Sequence, residues 1–288
     1  CAIKLARLYG HKKGIDCPVI VVMEKSFHGR TLATLTATGN RKVQAGFEPL
    51  VQGFVRAPYG DVEALKTIAA NNPNVVAVLA EPVQGEGGVN IPAADYLNQL
   101  RNICDAHQWL LMLDEVQTGN GRTGKYFAYQ HNNILPDVVT TAKGLGNGFP
   151  IGACLAQGAA AELFQVGNHG STFGGSALAC ATAQAVVDTL LNEKLIERAE
   201  TLGKKLLADL QTALVDCSQV AAVRGLGLML GIALQNDAPD LVARAAEKGV
   251  LINVTAGKVI RLLPTFVMTD EETALLVTTL HDLLRDPA

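Results

Sequence analysis

Residues 109–125 read WLLMLDEVQTGNGRTGK, an apolar run that closes on two adjacent acids, Asp114 and Glu115, and continues into three glycines and a lysine. Two chemistries begin this way. In the first, a glycine loop cradles a nucleotide's phosphates and an acid serves magnesium. Residues 119–126 fill every position of such a loop except the last, where Tyr126 replaces the Ser or Thr that holds the metal. The acids also precede the glycines, whereas a phosphate loop comes from a strand ahead of its metal-binding acid. In the second chemistry, a buried carboxylate at a strand end keeps the ring nitrogen of a pyridoxal cofactor protonated, and a lysine nearby joins the cofactor's aldehyde. Asp114 is placed for the first role. Lys143 closes the next apolar run, with GLGNGFPIGA behind it, and is placed for the second. Taken singly, Asp114 reads as a loop or cap carboxylate and Lys143 as a solvated charge. Taken together, they stand at consecutive strand ends on the carboxyl edge of a parallel sheet, where open α/β folds bind ligands.

The elements that must position them follow from hydrophobic patterning. VIVVM (19–23), VVAVLAE (75–81), WLLMLDE (109–115), DVVTTAK (137–143) and IGACLAQ (151–157) are continuous apolar runs, which predicts strands buried on both faces. DVEALKTIAAN (61–71) and AADYLNQLRNICDAHQ (93–108) lie between them with helical periodicity. The chain therefore reads as α/β, with a mostly parallel central sheet covered by helices. Beyond Gly175 a long helical stretch broken near Asn192 leads into short strands, a helix, two more strands and a final helix. That predicts a larger domain over residues 1–190 and a smaller α+β domain over 191–288.

Composition narrows the function. The 288 residues are 49% hydrophobic and 18% charged, with 24 basic against 27 acidic side chains and no polybasic tract. Neither nucleic acid nor an anionic membrane is an expected partner. No apolar run reaches membrane-spanning length and no secretory leader is visible, so the expected location is the cytoplasm. Six cysteines and six histidines are dispersed without ligand spacing, which argues against a metal centre or a disulfide framework.

SFHGRT (26–31), AEPVQGEGG (80–88), LDEVQTGNGRTG (113–124), AKGLGNGFPIGA (142–153), GSTFGG (170–175) and IRLLP (260–264), in that order, together resemble the class III aminotransferases of pyridoxal-phosphate (PLP) fold type I. The resemblance implies that Lys143 binds PLP covalently and shuttles the substrate proton, and that Asp114 partners the pyridine nitrogen. It implies that Gln117 meets the phenolic oxygen, that Val116 and Phe27 sandwich the ring, and that His28 belongs to the cofactor-binding set. Ser171 and Thr172 would reach the phosphate of a second protomer's cofactor, so the resemblance implies a homodimer with shared sites; read alone, they are a helix N-cap. Arg261 would grip an α-carboxylate and Arg30 a more distant one, with Glu86 as a switch acid for Arg261, Glu81 near the cofactor and Arg122 fixing a loop. The implied reaction moves the terminal amine of N-acetylornithine to 2-oxoglutarate, in arginine biosynthesis; ornithine, 4-aminobutyrate and succinyl-diaminopimelate remain rival donors. Members of the family also carry a phosphate-binding turn ahead of the position of Cys1. The sequence thus suggests a truncated chain, and a non-catalytic scaffold stands as the other reading.

Overall fold

The computed structural model describes residues 1–285. The chain divides into two compact units: residues 1–82, 92–119 and 128–188 form the first, and 83–91, 120–127 and 189 onward form the second.

The first unit is built on a six-stranded sheet of β1 (Val19–Met23), β2 (Phe54–Ala57), β3 (Val75–Ala80), β4 (Leu110–Asp114), β5 (Val138–Thr141) and β6 (Ala153–Ala156), in the order β2-β1-β3-β4-β5-β6. All neighbours are parallel except β5 and β6. Side chains alternate across a sheet, and here both faces are apolar. Ile20, Val22, Leu110 and Met112 pack with Leu5 and Ala6 of helix Ala2–Lys12, while Val21, Met23, Leu111 and Leu113 pack with Tyr96, Leu97 and Leu100 of helix Tyr96–His107. Leu110 to Leu113 are each at most 2% exposed, and burying each side chain contributes about 2 kcal/mol. This double covering makes β4 a rigid stalk for the acid at its end.

Two expectations need correction. The run 151–157 is not buried on both faces: β6 is an antiparallel edge strand on which Ala153, Leu155 and Ala156 are exposed. A short run of small apolar residues has the same pattern at an edge as in a sheet centre, so hydropathy could not separate the two. The single boundary near residue 190 also differs from the observed division, because 83–91 and 120–127 belong to the second unit. Val83 and Val89 bury themselves against Met229, and Arg122 donates to the carbonyls of Leu228 and Pro264. Glycine-rich loops carry no periodicity that would announce such long-range packing. The strand β2, half-buried at the opposite edge, was not foreseen either.

The second unit has a four-stranded antiparallel sheet of β7 (Val220–Leu226), β8 (Met229–Leu234), β9 (Asn253–Thr255) and β10 (Val259–Leu262), in the order β7-β8-β10-β9. Leu230, Ile232, Ile260 and Leu262 pack against Leu206 and Leu210 of helix Leu195–Ala213 and Leu276, Leu280 and Leu283 of helix Asp270–Arg285.

Candidate active site

The acid pair at the end of β4 splits into two environments. Asp114 is 8% exposed and pairs in register with Thr140 of β5. Its Oδ1 accepts the Val116 amide at 3.2 Å and its Oδ2 lies 2.7 Å from Nδ1 of His28. A carboxylate can accept about four hydrogen bonds, so lone pairs remain for a ring N–H. Burial pulls the His28 pKa down, but the hydrogen bond that its ring donates to Asp114, the Asp114 charge and the Glu81 charge outweigh it and leave the imidazole above its ordinary value. The Nε2 atom of the same ring is buried without a hydrogen-bond partner among the described residues. A buried acid with spare acceptor capacity, fastened to an imidazole at 2.7 Å, fits the ring-nitrogen end of PLP.

Glu115, by contrast, is structural. It is fully buried, accepts the amides of Ala128 (3.0 Å) and Tyr129 (2.9 Å) and the Thr118 hydroxyl, and burial pushes its carboxyl up to about 7. A folded-state pKa above the unfolded value means that the native state holds the extra proton between about pH 4.5 and 7. Stability from this group is therefore full at low pH and declines as pH rises through that window. Glu115→Ala orphans two buried amides, and thermal or urea unfolding near pH 6 is expected to show a loss of about 2–4 kcal/mol. The decline between pH 4.5 and 7 should shrink in the same variant.

Lys143 opens a one-turn 3₁₀ helix, Lys143–Leu145, just past the end of β5, and is exposed. Its φ of 45° lies in the left-handed region, which costs a non-glycine residue of order 1 kcal/mol. The turn is closed by Gly146 and Asn147 amides donating to the Lys143 carbonyl at 3.1 and 3.2 Å. A Cβ on Gly146 would sit 2.1 Å from the Phe149 carbonyl oxygen, so only glycine fits there. The lysine is thus presented by a tight turn rather than by the strand itself.

The remaining candidates of the first unit fall into two groups. The Phe27 amide donates to Oε2 of Glu81 at 3.0 Å, which ties the 26–28 segment to the end of β3, and the Tyr59 hydroxyl donates to the carbonyls of Glu81 and Pro82. The guanidinium of Arg30, which is exposed, lies 5.8 Å over the Phe27 ring. Val116 and Gln117 are half-buried directly after Asp114. Ser171 and Thr172 are exposed and lie well ahead of helix Ala177–Asn192, so they do not cap it. In the second unit, Nη1 of Arg261 on β10 donates to Oε1 of Glu86 at 2.7 Å, with side-chain exposures of 12% and 40%. Arg122 is held by the Leu228 and Pro264 carbonyls and by the Phe266 ring at 4.6 Å, and burial lowers its pKa to about 10.

Sequence reasoning passed over Arg224 and Thr255, which fasten the loop carrying Glu86. The Arg224 guanidinium donates to the carbonyls of Val89 (2.7 Å) and Gly88 (2.6 Å), and the Thr255 hydroxyl to that of Glu86 (2.5 Å). An arginine interrupting the small apolar run VAAVRGLG was the only available signal.

This layout, with an acid and a lysine at neighbouring ends of a mostly parallel sheet and a smaller antiparallel sheet beside it in sequence, is that of the PLP-dependent aminotransferases. The chain belongs to the class III aminotransferases, whose family model matches residues 1–284. Among its relatives, the acetylornithine aminotransferase of Nitrosomonas europaea is 56% identical, over 98% of this chain and 72% of that protein. The acetylornithine aminotransferase of Methanothermobacter thermautotrophicus is 46% identical, over 99% and 71%. The crystal structure of ornithine aminotransferase from Toxoplasma gondii superposes with a TM-score of 0.94 at 35% identity, covering 98% of this chain and 69% of that one. Acetylornithine aminotransferase from Elizabethkingia anophelis gives 0.85 at 34%, covering 98% and 70%.

Proposed function

We propose that this aminotransferase takes the terminal amine of N-acetylornithine and delivers it to 2-oxoglutarate, giving N-acetylglutamate semialdehyde and glutamate in the cytoplasm, as a step of arginine biosynthesis. The observation that carries the reading is the Glu86–Arg261 ion pair. One pocket must accept a dicarboxylate in one half of the cycle and a terminal amine in the other. Arginine grips a carboxylate through parallel N–H donors. An acid that pairs with the same arginine cancels its charge when the incoming end of the substrate is not an anion. The names of the relatives at 46–56% identity support the acetylated donor.

PLP, when bound, supplies an electron sink for the pair of electrons freed at the substrate carbon and carries the amino group from donor to acceptor. Lys143 is the amine that would hold it covalently and move the proton between the two carbons. Asp114, oriented by His28, would hold the ring-nitrogen proton, with Gln117 at the phenolic oxygen and Val116 and Phe27 against the ring faces. Arg261 and Arg30 would orient the two carboxylates of glutamate. Ser171 and Thr172 would serve the phosphate of a second protomer's cofactor in a homodimer. That role is supported by their exposure and by the exposed apolar side chains Phe173 and Leu178 that follow them.

The test is a split between half-reactions. Arg261→Ala is expected to raise KM for 2-oxoglutarate about 10- to 100-fold, the worth of one charge-assisted carboxylate grip, while the KM for N-acetylornithine changes far less. Equal effects on both substrates would refute the assignment. Comparing N-acetylornithine with ornithine, 4-aminobutyrate and succinyl-diaminopimelate at fixed 2-oxoglutarate then ranks the donors. A chain that develops no visible absorption on adding PLP is the non-catalytic scaffold instead.

A further inference from the structure

The loop between β3 and helix Tyr96–His107 carries Glu86, and it is fastened both by its own Gln84 and Asn90 and by residues of the second unit's sheet. Gln84 and Asn90 exchange backbone hydrogen bonds at 3.0 and 3.1 Å, which closes residues 85–89 into a small arch. Arg224 of β7 donates through Nε to the Val89 carbonyl and through Nη2 to the Gly88 carbonyl, and Thr255 of β9 donates to the Glu86 carbonyl. Packing adds to this: a Cβ on Gly231 of β8 would lie 2.8 Å from the Val89 Cβ, and one on Gly88 would lie 3.2 Å from the Val259 side chain of β10. Val89 itself is fully buried at φ 51°. A β-branched residue in the left-handed region is strained by about 1–3 kcal/mol and persists only where its surroundings hold it.

We propose that Arg224, seconded by Thr255, is a specificity-setting positioning residue: by pinning the 86–89 backbone it keeps the Glu86 carboxylate at high local concentration beside Arg261, so that an incoming carboxylate must displace a pre-aimed competitor. The inference rests on the reading of Arg261 as a carboxylate site. Because the arch is held at the carbonyls of residues 86, 88 and 89, exchange of partners on Arg261 falls to the Glu86 side-chain torsions rather than to movement of the loop. An intramolecular ligand loses effective concentration when its tether loosens. Weakening the clamp should therefore tighten the binding of an external carboxylate, which is opposite in sign to the effect of ordinary structural damage.

The diagnostic variant is Arg224→Lys, which keeps the charge but cannot make two parallel bonds from one rigid fork. Hydrogen exchange on the full chain is expected to show amides 84–90 exchanging at least about 10-fold faster, with β8 and β10 unchanged. Calorimetry on PLP-saturated protein, with glutarate as probe, is expected to show binding tightened by about 3- to 10-fold, in the direction of Glu86→Ala. Thr255→Val is the second variant, expected to act in the same direction should the lysine variant fold poorly. Unchanged exchange across 84–90, or glutarate binding that is unchanged or weaker in both variants, overturns the proposal. If glutarate binding to the parent chain does not depend on Arg261, tested with Arg261→Ala, the carboxylate reading itself fails, and the exchange result alone then decides whether the clamp exists.

Discussion

Lys143→Ala is expected to eliminate the visible absorption that PLP acquires on joining a protein amine, and to lower transamination by at least about 10³-fold, since one side chain supplies both the covalent attachment and the proton transfer. The structure makes this a clean experiment. Lys143 is exposed and its backbone sits at φ 45°, so alanine at the same φ/ψ adds little strain and no cavity. The Gly146 and Asn147 amides that close the turn bond to the residue's carbonyl rather than its side chain. Folding, judged by circular dichroism and melting, should be unchanged while chemistry is lost. A purified variant that keeps the band would remove Lys143 from the role and throw the site open to another amine.

Asp114→Asn comes next in size. Each oxygen of the carboxylate at the end of β4 has one partner, the Val116 amide or the His28 ring, and keeps a lone pair, so an isosteric amide keeps the shape while losing the charge that would hold a proton on a cofactor ring. Removing one preorganised electrostatic partner of this kind lowers kcat by about 10²–10³-fold. A second readout is independent of activity. The Asp114 bond and charge are what lift the His28 pKa against burial, so in the asparagine variant burial prevails and the imidazole titrates at lower pH, visible by NMR. The linkage follows the sign of the shift: the parent's raised histidine contributes stability that is present at low pH and fades as pH rises through its folded-state pKa. That contribution should vanish in the variant. An unmoved His28 titration would mean that the 2.7 Å contact does not set the state of the ring.

How much of this was legible in the sequence depends on the range of the interaction. The parallel sheet and its helices were, because Ile20–Met23, Val75–Ala80 and Leu110–Leu113 are buried on both faces and their patterning is local. The same runs placed Asp114 at a strand end, while its contact with His28 appears only in the fold. Illegible were facts made by residues far apart. Glu115 reads as Asp114's twin, yet it ends up facing the Ala128 and Tyr129 amides as an internal brace. Arg224 binds carbonyls well over a hundred residues earlier, and neither glycine nor valine at 88 and 89 records which donor their carbonyls will meet. The exposure of β6 escaped for a different reason, since Ala and Leu at an edge pattern like Ala and Leu in a core.

That last strand bears on how the protein must be handled. Leu155 on β6 is 46% exposed, and Val166, Phe173 and Leu178 are each more than 60% exposed within the next two dozen residues. Wetted apolar side chains and an exposed strand edge each invite chain-to-chain adhesion. Unless a second copy covers these side chains, concentrated solutions will tend toward haze and precipitate, so the solubility ceiling of a preparation becomes a reporter of whether its chains have found each other.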